Sequence, residues 1–187
     1  FDLLNRINQR FVDIVRASGG NNAERHLLIS AYYTNIDYAN NGLTKMPDDP
    51  MGRCAISVHY YTPWTWVALT KDESWGKAQW EWGSPEDYEL LNSQLDLMKK
   101  NYVDKGIPVI VGEYCMCSKK EKKYSDLWEI EVTRGIYERG MCPIYWDVQG
   151  SATNFFNRIT LTWGNPEVLA AMQEIQATRD FTKVNGK

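Results

Sequence analysis

The chain is 187 residues long, enough for one domain with a sizeable core, and its formal net charge of -3 gives no electrostatic case for binding nucleic acid or an anionic membrane surface. No apolar run approaches the ~18 residues that cross a bilayer. Eight Trp and eleven Tyr are the compositional anomaly, and since aromatic rings both stack on ligands and fill cores, composition alone does not choose between those uses.

In chain order, Asn5 to Ala17 predicts a helix, with Ile7, Phe11, Ile14 and Val15 at helical spacing and a stop at Gly19-Gly20. Leu27 to Tyr33 predicts a first strand. From Ile36 to Arg53 the pattern fails, and Asn40-Asn41-Gly42, Pro47 and Pro50 read as loop or a short turn of helix. Ala55 to Tyr61 predicts a second strand. A loop-rich stretch with Trp64, Trp66, Trp75, Trp80 and Trp82 follows, where one or two rings suit a ligand platform and the rest suit loop packing. Ser84-Pro85-Glu86-Asp87 is a helix start, continued by Leu90, Leu91, Leu95 and Met98 to a stop near Gly106. Ile107 to Val111 predicts a strand apolar on both faces, running into Gly112-Glu113-Tyr114. Lys119 to Lys123 reads as a solvated charge run. Ser125-Asp126 is expected to cap a helix ending at Arg139-Gly140, Cys142 to Asp147 predicts a fourth strand, and Asn165-Pro166-Glu167 opens a last helix through Val168, Leu169 and Met172. Residues 1–180 form the expected domain and 181–187 a frayed tail.

Strands alternating with helices imply parallel pairing with right-handed crossovers. Four such strands fit a small open sheet or half of an eight-stranded barrel. The C-terminal strand ends carry Tyr32-Tyr33-Thr34-Asn35, His59-Tyr60-Tyr61-Thr62-Pro63-Trp64, Glu113 and Trp146-Asp147, whereas the opposite ends carry Pro, Cys and Arg. An ionisable Glu at the tip of a buried strand is costly unless it is paired or used, and active faces of barrel enzymes gather at that end. The four cysteines make no persuasive framework. Cys115 and Cys117 are too close for an unstrained bridge, Cys54 and Cys142 precede non-adjacent strands, and all four are expected as free thiols with a weak metal signal.

Together these segments resemble glycoside hydrolase family 5, most of all its endo-β-1,4-glucanases that also act on xyloglucan and mixed-linkage glucans. The resemblance is carried by Phe11-Val12-Asp13-Ile14-Val15-Arg16 with Ser18-Gly19-Gly20-Asn21-Asn22, by Ser57-Val58-His59-Tyr60-Tyr61-Thr62-Pro63-Trp64 and by Ser74-Trp75-Gly76. Pro108-Val109-Ile110-Val111-Gly112-Glu113-Tyr114 and Pro143-Ile144-Tyr145-Trp146-Asp147 complete it. It implies an α/β fold that is half of a (β/α)8 barrel, strands five to eight, and retaining hydrolysis of internal β-1,4-glucosidic bonds without cofactor or metal. Glu113 falls on the nucleophile of the family's Gly-Glu motif, His59 and Tyr61 on its His-x-Tyr motif, and Trp146 on a stacking platform. Trp64, Trp75, Asn35 and Asp147 are further substrate-binding candidates, Asp147 doubling as an ordinary loop residue. The resemblance also implies secretion.

The family's acid/base Glu lies in an Asn-Glu-Pro motif, and none occurs here. The opening at Phe1, with neither initiator Met nor signal pattern, predicts a processed or truncated piece. Half a barrel leaves two strand edges unpaired, so the expectation is association with the missing N-terminal half or a homodimer closing the barrel, in which the partner's Asp147 would lie near the place of the acid. The alternative is a catalytically incomplete half that binds carbohydrate or serves assembly.

Overall fold

The computed structural model describes residues 1–148 and 155–181. Six helices and six strands are distinguished there: α1 (Asp2–Ala17), β1 (Leu27–Asn35), α2 (Ile36–Ala39), β2 (Cys54–His59), α3 (Trp64–Val67), α4 (Pro85–Asn101), β3 (Val109–Glu113), α5 (Lys122–Glu138), β4 (Cys142–Pro143), β5 (Phe156–Asn157), β6 (Thr162–Trp163) and α6 (Pro166–Thr178). β1 to β4 form one parallel sheet in sequence order. Apart from Phe181, the tail expected over 181–187 lies outside the described residues.

Period-two alternation decides which face of the sheet is core. Ala31, Ile56, Val58, Tyr60, Val109 and Val111 are buried against Leu91, Leu95 and Met98 of α4 and Trp128, Val132 and Ile136 of α5. Each of the Val, Ile, Leu and Met side chains among them contributes roughly 1.5–3 kcal/mol by leaving water. The other face carries Leu28, Ser30, Ser57, Ile110, Gly112 and Ile144, where Leu28 and Ile144 stay about half exposed. α1 has the same two-sidedness. Asn8 and Val12 are buried, with Asn8 donating to the Ser30 carbonyl at 3.1 Å, while Leu3, Ile7, Phe11 and Ile14 form an exposed apolar stripe.

Local chemistry sets most boundaries as expected. Ser84 Oγ accepts from Asp87 N at 3.2 Å and the Asp87 carboxylate accepts from Ser84 N at 3.0 Å, a reciprocal cap for α4. In the loop before β2, Asp49 receives Arg16 Nε at 2.8 Å and Nη2 at 2.9 Å. That guanidinium, helped by the Arg53 and Met51 amides, holds the Asp49 carboxyl well below the usual carboxylate range despite burial.

Four expectations need correction. α5 begins at Lys122, ahead of Ser125, because Ser125 bonds back to the Glu121 carbonyl at 3.3 Å while Lys122 bridges Asp126 and Glu167 to hold the first turn. Lys120 is no part of a solvated run. Its ammonium donates to the Leu69 carbonyl and, at 2.8 Å, to the Gln79 carbonyl, and lies 4.2 Å from the Trp80 ring centre. The fourth strand pairs regularly only over Cys142–Pro143. Beyond it the chain is held by the Ile144 and Trp146 amides, donating to Val111 and Tyr114 carbonyls at 2.9 and 3.1 Å. Finally, β5 and β6 pair antiparallel between Asn157↔Thr162 and Phe156↔Trp163, two-residue strands too short to show a period.

Candidate active site

The rim is built at the carboxyl ends of β2 and β3. His59 and Glu113 are register partners after a local shift, and Tyr60 N donates to the Glu113 carbonyl at 2.8 Å, locking the two strand ends together. Alternation then sends Tyr60 into the core and leaves His59 and Tyr61 on the rim. Tyr61 donates its hydroxyl to Glu113 Oε2 at 3.0 Å, and His59 Nδ1 lies 3.3 Å from the same oxygen. Gly112 leaves room for this: a Cβ there would stand 3.3 Å from Ser57 Oγ and 3.7 Å from the His59 ring.

Electrostatics fit a carboxylate served by neutral partners. Burial lowers the His59 pKa although Glu113 pulls it up, so at neutral pH the imidazole is uncharged and the contact is no ion pair. Burial chiefly, with the neighbouring Cys115 and Glu113, drives the Tyr61 phenol far above its ordinary value. It therefore keeps its proton and donates it toward Glu113 across the working pH range. Glu113 keeps about a quarter of its side chain exposed, so the site is an open rim.

The other candidates divide. Trp64, half exposed, stands edge-on to Tyr61 at 6.1 Å, and Trp146, also half exposed, is carried by the Tyr114 carbonyl through its amide. Trp75 and Trp80 are exposed farther along the loop, whereas Trp66 and Trp82 are buried. Asn35 sits beside His59 in register, yet its Oδ1 accepts from Asp37 N and Tyr38 N at 2.8 and 3.0 Å and so caps α2. Asp147 accepts from Phe155 N at 2.8 Å and meets Arg158 Nη1 at 3.1 Å, tying itself to the residues around β5. The structure thus brings together Glu113, His59, Tyr61 and Trp64, with Trp146 on the adjoining strand end, and occupies Asn35 and Asp147 locally. Among the described residues no group of three or more His, Cys, Asp or Glu side chains is arranged to hold a metal.

One buried acid beside the site carries no signal in the sequence. Glu129, on α5, is buried and accepts from the Tyr145 hydroxyl at 2.7 Å, next to Trp146. Burial raises its pKa to about 7, against the hydrogen bonds from Tyr145 and the Met116 amide. For an acid raised in the fold, stability is greatest below the unfolded value of 4.5 and is lost as pH rises through about 7. The loss amounts to roughly 3 kcal/mol. Glu129→Gln should remove it: thermal unfolding at pH 5 and pH 8 is expected to show near-equal melting at pH 5 and a variant several degrees higher at pH 8. A pH-independent difference contradicts the assignment. A helical Glu one turn from Asp126 and two residues from Glu131 looks like any solvated helix position, which is why this burial goes unannounced.

Comparison with known proteins follows the same lines. The family model for cellulase, glycosyl hydrolase family 5, matches residues 2–152. The chain belongs to glycosyl hydrolase family 5. Among curated relatives, endoglucanase A of Paenibacillus barcinonensis is 32% identical over 91% of this family 5 chain and 48% of its own length. The xyloglucan-specific endo-β-1,4-glucanase of Bacteroides ovatus is 30% identical over 91% of the chain and 36% of its own length. A solved broad-specificity endoglucanase of subfamily 4, from an uncultured bovine rumen ciliate, superposes with a TM-score of 0.85 at 31% identity, over 94% of this chain and 54% of that one. The chain therefore spans about half the length, or less, of the relatives it matches, and its sheet is the C-terminal half of the family's (β/α)8 barrel.

Proposed function

We propose that residues 1–180 supply the nucleophile half of a retaining endo-β-1,4-glucanase site, acting on cellulose or related β-glucans such as xyloglucan and lichenan. The observation that carries this reading is the convergence of Tyr61 and His59 on one oxygen of Glu113 at a parallel strand end. A carboxyl oriented by the Tyr61 hydroxyl, with the His59 ring beside it, is placed to attack an anomeric carbon, and the covalent glycosyl intermediate is then hydrolysed with a second carboxyl ~5–5.5 Å away acting as acid and base. Trp146 and Trp64 offer exposed rings for sugar stacking on either side. Relatives named as endoglucanases and as a xyloglucan-specific glucanase support the substrate class, and polymers too large to enter a cell support a reaction outside it.

The second carboxyl belongs to the complementary half of the barrel. Exposed Leu28 and Ile144 on the open sheet face, and the stripe of Leu3, Ile7, Phe11 and Ile14, support an apolar partner there, either that half or a second copy of this chain. On its own the chain is expected to self-associate at micromolar concentration and to bind cello-oligosaccharides without turning them over. Light scattering after size exclusion reads the first point, and a well-behaved monomer would sink it. For the assembled enzyme the test is stereochemical: proton NMR of the first-formed sugar should show the β anomer, and an α anomer overturns the retaining mechanism.

Tyr61→Phe should cost the hydrogen bond to a charged acceptor, about 1.5–3 kcal/mol, hence a roughly tenfold to hundredfold fall in kcat with KM nearly unchanged. A fall in KM-limited affinity alone would place Tyr61 on the substrate instead of on Glu113.

A further inference from the structure

Two residues past Glu113 the chain carries a pair of thiols for which the hydrolytic reading has no use. Cys115 is completely buried, whereas Cys117 is exposed. The backbone at Cys117 is fixed by the Cys117 and Ser118 amides, both donating to the Val67 carbonyl at 3.1 Å, so the exposed thiol is anchored to the α3 region. The two thiols are one residue apart and shift each other's ionisation, and the Tyr61 hydroxyl that serves Glu113 also acts on Cys115.

We propose that Cys117 is a thiol–disulfide exchange site, with Cys115 as its resolving partner, that takes low-molecular-weight disulfides and reports on the adjoining carboxylate.

The chemistry follows from the asymmetry of the pair. Donation from the Cys115 S–H lowers the Cys117 pKa, against burial and the nearby Glu113 charge, while the same bond and burial push Cys115 far up. Of the pair, Cys117 is the accessible and more readily ionised thiol, and the thiolate is the attacking species. Its sulfur attacks a disulfide RSSR, forming Cys117–S–S–R and releasing RS⁻. Cys115 then gives up its proton and attacks the Cys117 sulfur, breaking the mixed disulfide and releasing the second RS⁻. The sum is two thiols oxidised to one bridge and one disulfide reduced to two thiols. A bridge spanning a single intervening residue is strained, which makes it easily reduced and so reversible. Closing it withdraws the Cys115 S–H and moves the sulfur beside Tyr61, so the Tyr61–Glu113 hydrogen bond is disturbed.

The test treats the full chain with oxidised glutathione and follows each cysteine by peptide mass spectrometry, Cys142 serving as an exposed control on the same molecule. The expected result is that Cys117 reacts at least about tenfold faster than Cys142 and that the peptide holding both thiols loses about 2 Da, with no lasting adduct. Cys115→Ser should trap a glutathione adduct at Cys117, and Cys117→Ser should abolish both products. Equal rates at Cys117 and Cys142, or an adduct that persists in the parent chain, overturns the proposal. These readouts do not depend on glucan hydrolysis. In the assembled enzyme, oxidation should lower hydrolysis reversibly and leave Cys117→Ser unaffected; hydrolysis unmoved by a bridge that does form refutes only the coupling to Tyr61.

Discussion

Replacing Glu113 by Gln in the assembled enzyme is expected to reduce turnover of carboxymethyl-cellulose by about 10⁴-fold or more, the scale of losing a nucleophile. The argument rests on what the substitution keeps. Gln has the same shape, its amide oxygen still accepts from the Tyr61 hydroxyl, and the position is a quarter exposed, so the fold loses little. Thermal unfolding should stay within about 1 kcal/mol of the parent, as for an exposed substitution away from the core. What disappears is the carboxylate oxygen able to form a stable ester bond to the anomeric carbon, since the amide oxygen is a far weaker nucleophile. A 2-fluoro cellobioside with a good leaving group should therefore add one glycosyl unit to the peptide containing Glu113 in the parent and none in the variant. Modification at another carboxylate, with Glu113 unlabelled, would reassign the nucleophile.

Much of this site is legible in the order of its residues. The run Ile107–Val111 is apolar at every position, which only a strand covered on both faces tolerates, and its exit carboxylate stands out for that reason. The alternation through His59, Tyr60 and Tyr61 likewise announces which rings face the rim. What stays hidden depends on neighbours distant in sequence. Asn35 and Asp147 look like site residues because of where they sit, yet backbone amides nearby use their amide or carboxyl oxygens. Lys120 sits in a run of charges, and its partners are carbonyls 51 and 41 residues away. Glu129 acquires its shifted acidity only from the packing around α5, which outweighs the hydrogen bond from the Tyr145 hydroxyl. Hydrophobic pattern reports local periodicity, so it finds faces and misses long-range polar partners.

The same distinction between face and partner sets the largest expected stability effect. Trp128 on α5 is fully buried, stacks on Tyr60 with centroids 6.2 Å apart, and donates Nε1 to the Thr62 carbonyl at 3.4 Å. It thus grips the β2 exit from beneath at the two residues flanking Tyr61. Trp128→Ala should cost about 3–5 kcal/mol through lost burial and the cavity left behind. Against a typical total of about 5–15 kcal/mol that is a large share, and melting should fall by roughly 6–20 °C for a chain of this size. Trp128→Phe keeps a ring against Tyr60 and loses the long bond to Thr62, so its cost should be under about 2 kcal/mol. The pair also separates packing from positioning. With Tyr60 and Thr62 free to relax, the aim of Tyr61 at Glu113 loosens, and kcat should fall further in the Ala variant than its folded fraction explains. Differential scanning calorimetry, beside initial rates measured well below the variant's midpoint, reads both quantities. If Trp128→Ala melts within about 2 °C of the parent, α5 does not hold the catalytic strand ends in place.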